Sequence, residues 1–253
     1  SLGIFLDGYN KERVDCEKII MTSSDAVTIS SKFEEDMIKK NYKIDSTKIK
    51  HITPGVDTEI FTPDSTIKRE NIILSIGRIQ EQKGQIHTIK FLDNLRKVEK
   101  NFLCYFIGGP SGKFGIEYLE ELKKIVIDLN LESHVEFLDN LPQTKIRDLL
   151  NKSKLLIHTS KFETFGLVAA EANAMGVPVL TTNNGSLLEI VESDKNGYYS
   201  ENLIDGNVNN FVKELLNNNE KFNEIKSNCF EKSKPYSWAN TASKIENLYK
   251  AFN

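Results

Sequence analysis

Short, uninterrupted apolar runs alternate with longer amphipathic runs through most of the chain after residue 64. The short runs are Ile72-Ile73-Leu74-Ser75-Ile76, Phe102-Leu103-Cys104-Tyr105-Phe106-Ile107, Val135-Glu136-Phe137-Leu138, Leu155-Leu156-Ile157-His158 and Val177-Pro178-Val179-Leu180. Each has strand length and no sustained polar alternation, which predicts strands covered on both faces. Between the second and third runs, Ile116, Leu119, Leu122, Val126 and Leu129 recur at three- and four-residue steps, predicting a helix with one buried face. The alternation predicts an α/β domain, a Rossmann-like parallel sheet with helices on both faces. In such sheets ligands sit beyond the carboxyl ends of the strands.

The front of the chain is patterned differently. A helical stretch, the run Ala26-Val27-Thr28-Ile29-Ser30, a helix from Phe33 to Asn41 and the strand-like Ile49-Lys50-His51-Ile52 suit the closing elements of another α/β domain. Pro54-Gly55-Val56-Asp57 and Phe61-Thr62-Pro63 mark the join. The expected division is residues 1–64, the closing part of one domain and a linker, and residues 65–253, a second domain. The chain opens without Met in an apolar run, which predicts that it begins inside a longer reading frame.

Composition narrows the classes. With 39% hydrophobic residues among 253, the chain can bury a core. A net charge of -3, from 33 Lys and Arg against 36 Asp and Glu, gives no global attraction to nucleic acid, so any cationic site is local. Cys16, Cys104 and Cys229 are far apart and show no metal-ligand spacing. That, and the lack of a long apolar segment or a basic-flanked leader, predicts a cytoplasmic protein, at most peripheral to the inner face of the membrane. His51, His87, His134 and His158 are all embedded in strand or helix runs and read as structural.

The unusual residues fall at strand ends. After the first strand, Gly77-Arg78-Ile79-Gln80-Glu81-Gln82-Lys83-Gly84 places two cations five positions apart in a loop entering a helix. Alone, such cations are ordinarily solvated. After the fourth strand comes Phe162-Glu163-Thr164-Phe165-Gly166-Leu167-Val168-Ala169-Ala170-Glu171. Here Thr164 or Phe165 is expected to open a helix whose first amides lack intrahelical acceptors, a site suited to phosphate. Glu171 sits in an almost wholly apolar helix, where a carboxylate needs partners.

Glu163 and Glu171, eight positions apart around Phe-Gly-Leu-Val, resemble the two-glutamate motif of glycosyltransferase family 4, and Gly77-Arg78 with Lys83-Gly84 resembles that family's phosphate loop. Gly108-Gly109-Pro110-Ser111-Gly112 and Ala174-Met175-Gly176-Val177-Pro178-Val179 fit the same pattern, from about Ser23 to Tyr199, and Trp238 to Tyr249 fits the closing helix. The branch containing sucrose-phosphate synthase and the mycothiol pathway is the most similar in look. The resemblance implies a GT-B fold, a closing helix that returns toward the first domain, and a retaining transferase moving a sugar from a nucleoside-diphosphate sugar. It implies that Arg78 and Lys83 grip the diphosphate, Glu171 the ribose, Glu163 the transferred sugar, and the amides of Phe165, Gly166 and Leu167 sugar and phosphate. Gly77 and Thr164 complete the donor contacts, with Arg78, Lys83 and Glu163 in the catalytic roles.

No Asp-x-Asp occurs, so the expectation is a metal-independent enzyme without cofactor, the two cations taking the metal's place. Asn184-Gly185-Ser186 stands where relatives often carry a glycine pair, which puts sugar contacts there in doubt. Ser1-Leu2-Gly3 resembles the end of a loop near the donor phosphates. The acceptor, a sugar, lipid or glycan, is not identified, and most of its pocket is expected on a missing amino-terminal domain or a second chain, leaving this chain inactive alone. Two other readings stay open: a donor-binding subunit that borrows its catalytic partner, and a sugar-nucleotide epimerase or phosphorylase of similar architecture.

Overall fold

The computed structural model describes residues 10–252; Ser1-Leu2-Gly3 lies outside them. The front section forms α1 (Lys11–Ser23), β1 (Val27–Ile29), α2 (Lys32–Tyr42) and β2 (Ile49–His51). Asn10 accepts from the Arg13 amide and Ser31 from the Glu34 amide, so each helix starts on a side-chain cap. β1 and β2 pair in parallel, with Ile29, Ile38, Tyr42 and Ile49 buried around them.

The larger section carries β3 (Ile72–Ile76), α3 (Gln85–Leu95), β4 (Leu103–Ile107), α4 (Gly115–Asp128), β5 (Val135–Leu138), α5 (Gln143–Lys152) and β6 (Leu155–His158). It continues through α6 (Leu167–Ala174), β7 (Val179–Thr182), α7 (Leu187–Ile190), β8 (Gly197–Ser200), α8 (Gly206–Asn217), α9 (Asn219–Ser233) and α10 (Trp238–Lys250). Its six strands are all parallel, in the order β5-β4-β3-β6-β7-β8. Every residue of β3 and β6 is buried, because these central strands are covered on both faces. Ile89 and Phe91 of α3, Leu122 of α4 and Val212 of α8 fill one apolar layer. Leu150 of α5, Ala169 and Ala170 of α6 and Leu187 of α7 fill the other.

The predicted α/β sheet is present, with local differences. β7 starts at Val179 rather than Val177, since Pro178 has no N–H to give a ladder. Ile116 is 68% exposed and Tyr118 takes the buried place at the start of α4. β8, α7 and α9 carry too little pattern to be read from the apolar runs alone, whereas α8, with Val208, Phe211, Val212, Leu215 and Leu216 at helical spacing, lies beyond the series of runs read above. Val56 and Phe61 already pack into the core of the larger section, ahead of residue 64.

The chain goes out from β3 to β4 and β5, then crosses back to place β6 on the other side of β3. The loops leaving β3 and β6 therefore diverge and open a crevice between them. Two glycines set how tightly those loops pack. A Cβ on Gly84, whose φ is 69°, would lie 2.3 Å from the Thr159 carbonyl, and one on Gly108 would lie 2.2 Å from the Gly77 carbonyl. Side chains there would push the β3 loop away from both neighbours.

Arg69 anchors the far side. Its guanidinium donates to Leu150 O and, at 2.9 Å, Ser153 O at the end of α5, and at 2.6 Å to Met175 O at the end of α6. Burial lowers its pKa to about 10. The charge faces the negative ends of two helix dipoles. Arg69→Met should remove all three bonds and lower unfolding stability by about 2–4 kcal/mol, since hydrogen bonds from a charged donor contribute most when their acceptors are buried. Urea denaturation checks this; a loss under about 0.5 kcal/mol would show that the anchor is not needed.

Candidate functional site

The β3 loop and the β6 loop meet at the crevice. Gln85 Nε2 donates to Arg78 O at 2.9 Å and holds the first loop against α3. A 3-10 turn, Glu81–Lys83, then ends at the left-handed Gly84. The Thr159 hydroxyl donates to Gly84 O at 2.9 Å, and the Lys161 amide to Gln82 O at 2.8 Å, so the two loops are fastened main chain to side chain and main chain to main chain. Lys161 Nζ adds an exposed pair with Glu81 at 2.6 Å.

Lys83 Nζ reaches Glu163 Oε2 at 2.8 Å, and His158 Nε2 reaches the same oxygen at 3.2 Å. An ionised carboxylate only accepts, so Nε2 carries the proton in this contact, and Ser160 Oγ at 3.1 Å is a second acceptor for it. Burial opposes ionisation of Glu163, but the His158 hydrogen bond and the Lys83 charge outweigh it and bring the carboxyl down to about 2. The Ser186 hydroxyl donates to Glu163 O at 2.9 Å, fixing the main chain as well. Gly185, at φ 65°, lies against this segment: a Cβ there would approach Glu163 O at 3.0 Å.

Arg78, Lys83, Glu163 and Thr164 line one pocket with Phe33, Gln80, Gln82 and Phe162. The guanidinium of Arg78 is exposed and has no hydrogen-bond or ion-pair partner among the described residues. Gly77, Phe165, Gly166, Leu167 and Glu171 lie outside that lining. Phe165 is instead buried, edge-on to Tyr236 at 5.3 Å.

α6 starts at Leu167, not at Thr164 or Phe165, because Gly166 adopts φ 97° and breaks the helical run ahead of it. The amides of Phe165, Gly166 and Leu167 have no acceptor among the described residues. One turn after Leu167, on the same helix face, Glu171 is 8% exposed, and its carboxylate has no hydrogen-bond or ion-pair partner among the described residues. Burial alone pushes its carboxyl up to about 7.

The front section joins the same place. Ser30 Oγ donates to Thr164 O at 3.1 Å, and the amides of Lys32 and Phe33 donate to the two oxygens of Glu189, each at 3.0 Å. Thus a carboxylate of α7 caps α2 across the join.

Sequence reasoning missed His158, Ser186, Glu189 and Phe33. His158 had one available signal: it is the last residue of a central strand, five positions before Glu163. Glu189 had none, since its partners lie more than 150 positions away. No group of three or more His, Cys, Asp or Glu side chains among the described residues could hold a metal ion, and no helix among them is long and apolar enough to cross a membrane.

The chain is similar to known proteins in sequence and in fold. In sequence the chain is 26% identical to D-inositol 3-phosphate glycosyltransferase of Corynebacterium glutamicum (strain R) over 92% of its own length and 59% of that protein's. It is 28% identical to the enzyme of the same name from Corynebacterium urealyticum, over 93% and 59%. The chain therefore spans about 59% of the length of these relatives.

In structure it resembles sucrose-phosphate synthase from Thermosynechococcus elongatus, with TM-score 0.86 and 22% identity over 100% of this chain and 66% of that one. It also resembles Anabaena HepE in complex with UDP and glucose, with TM-score 0.83 and 18% identity over 96% and 67%. At that identity the likeness establishes the fold, which is of the GT-B type. The family described as Glycosyl transferases group 1 matches residues 57–232, a span that takes in both loops, the crevice and α6, and the chain belongs to it.

Proposed function

We propose that residues 65–253 bind a nucleoside-diphosphate sugar for a retaining, metal-independent transfer, and that residues 1–64 are the closing part of an acceptor-side domain. The observation that carries this is the crevice itself. Arg78, whose guanidinium has no partner among the described residues, and Lys83, paired with Glu163, come from one strand end and line one pocket with Glu163 and Thr164 from the next. Such a pair suits a diphosphate: the planar fork of Arg bridges two oxygens and Lys adds a compact charge, so the leaving group's charge is met without a divalent ion.

The open amides at Phe165 to Leu167 would add neutral donors to sugar and phosphate. Glu171, buried and unpartnered, supports a role as acceptor for the ribose diol, whose hydroxyls would supply the hydrogen bonds it lacks. Glu163 would take hydroxyls of the transferred sugar. That HepE was crystallised with UDP and glucose makes UDP-glucose the first donor to try. Retention of configuration belongs to the proposal and is supported by the family resemblance alone. The acceptor, a sugar, lipid or glycan, would be bound with a domain outside these 253 residues, in further chain or in a second polypeptide.

Arg78→Ala should weaken a nucleoside diphosphate about tenfold or more while leaving a nucleoside nearly unchanged, because only the former loses a charge-assisted contact. Calorimetry with both ligands decides it; equal losses would take Arg78 out of the phosphate site.

Glu171→Gln should weaken nucleoside binding yet stabilise the free protein. A carboxyl whose folded pKa, about 7, exceeds its unfolded value near 4.5 makes the folded state hold a proton the unfolded chain has lost. Stability therefore falls as pH rises from about 4.5 to about 7, and the Gln variant, free of that loss, should be more stable by ~1–3 kcal/mol at pH 8 and unchanged at pH 4. Urea denaturation at the two pH values tests the sign; equal stability at both would mean that Glu171 is not held in an unfavourable site.

Donor binding should survive chelator, and this chain alone should transfer no sugar, because acceptor positioning contributes roughly 7–11 kcal/mol that the opposing wall must supply. Calorimetry with chelator and a turnover assay check both halves. Binding lost to chelator would refute the metal-free site, and robust transfer would refute the missing wall.

A further inference from the structure

We propose that Lys83 is exchanged between Glu163 and the donor's diphosphate, so that seating the phosphates releases Glu163 to the sugar, with His158 as the positioning residue that holds Glu163 through the exchange. The proposal rests on the donor-site reading given above. Its starting point is the unliganded arrangement, in which the ammonium expected to grip phosphate is already occupied by the carboxylate expected to grip sugar, at 2.8 Å. Both side chains are only partly exposed, at 22% and 18%, so this is a partly desolvated pair and not a loose surface contact.

Charge decides the direction of exchange. A diphosphate carries more negative charge than one carboxylate and presents several acceptor oxygens, and the free guanidinium of Arg78 draws it into the same pocket. Once Lys83 turns to phosphate, Glu163 loses the one fully charged cation that pairs with it among the described residues. A half-buried carboxylate left so is unfavourable and must find other donors. His158 is one. It is 5% exposed at the end of β6, cannot follow the ligand, and keeps Nε2 on Oε2.

The remaining capacity lies on Glu163 Oε1, which has no partner among the described residues, and on the place at Oε2 that Lys83 has vacated. Sugar hydroxyls are donors of the right strength and reach for that position. Ser186 holds the Glu163 carbonyl throughout, so the carboxylate changes partners without moving its main chain. The consequence is an order of recognition: the hydroxyls of the sugar are read at full strength only after the phosphates are seated, and a free sugar meets a carboxylate that is already engaged.

The test is calorimetry on the 253-residue chain with UDP, ADP, GDP, their glucose conjugates and inorganic pyrophosphate. Glu163→Gln frees Lys83 in advance, so it should bind the diphosphate or pyrophosphate about 3–10-fold more tightly than the unaltered chain, while losing the extra affinity that glucose confers. His158→Phe leaves Glu163 with nothing to fall back on and should weaken the diphosphate at least ~threefold, an effect that should vanish in the Glu163→Gln background, whereas His158→Gln, whose amide places a donor where Nε2 was, should restore it. Diphosphate binding by Glu163→Gln that is unchanged or weaker would overturn the exchange and leave the donor site standing. The same loss from His158→Phe in both backgrounds would make His158 a structural residue only. If the unaltered chain bound no member of the panel and no pyrophosphate, the donor site and the exchange would fall together.

Discussion

Glu163 Oε2 receives Lys83 Nζ from the loop after β3 and His158 Nε2 from the end of β6, so one oxygen ties together the two strands between which the sheet reverses its order. That reversal is what makes the crevice, because loops leaving β3 and β6 turn to opposite sides. The contact can form only if the loops approach closely. Gly84 permits this at Thr159, and the Thr159 hydroxyl and Lys161 amide secure it. The site is thus a product of topology first, of backbone clearance second, and of side-chain chemistry last.

The two glutamates of the motif are treated in opposite ways by the same fold. Glu163 is held ionised by a histidine and a lysine, down at about 2, while Glu171, eight positions on, is buried without a partner and pushed up to about 7. A fold that needed only stability would pair or replace the second. Arg69 shows what this chain does when a buried charge serves structure alone: it is given three helix-end carbonyls. Among the described residues the Glu171 carboxylate is given none, which is why we propose that a ligand supplies its partners.

The central sheet was legible because β3 and β6 are apolar at nearly every position, and a fully buried strand needs that. The β8 edge was not, since β8, Gly197–Ser200, mixes glycine, aromatics and serine on a half-exposed strand. The start of α6 was misplaced because sequence does not disclose that Gly166 takes a left-handed conformation. At the site, the charged residues announced themselves by lying at strand ends. His158 did not, because a histidine closing an apolar strand looks the same whether it packs in the core or orients a carboxylate. Glu189 on α7 and the α2 amides it caps could be joined only by folding the chain.

The central claim is that a nucleotide sugar lies across the crevice between the β3 and β6 loops, and amide chemical-shift mapping of the chain titrated with UDP-glucose, ADP-glucose and GDP-glucose addresses it most directly. The account predicts saturable shifts concentrated at residues 77–84 and 163–171 for at least one of them. Shifts confined elsewhere, such as the polar pocket lined by His87, Lys161, Asn183 and Glu201, or no shifts with any of the three, would contradict it.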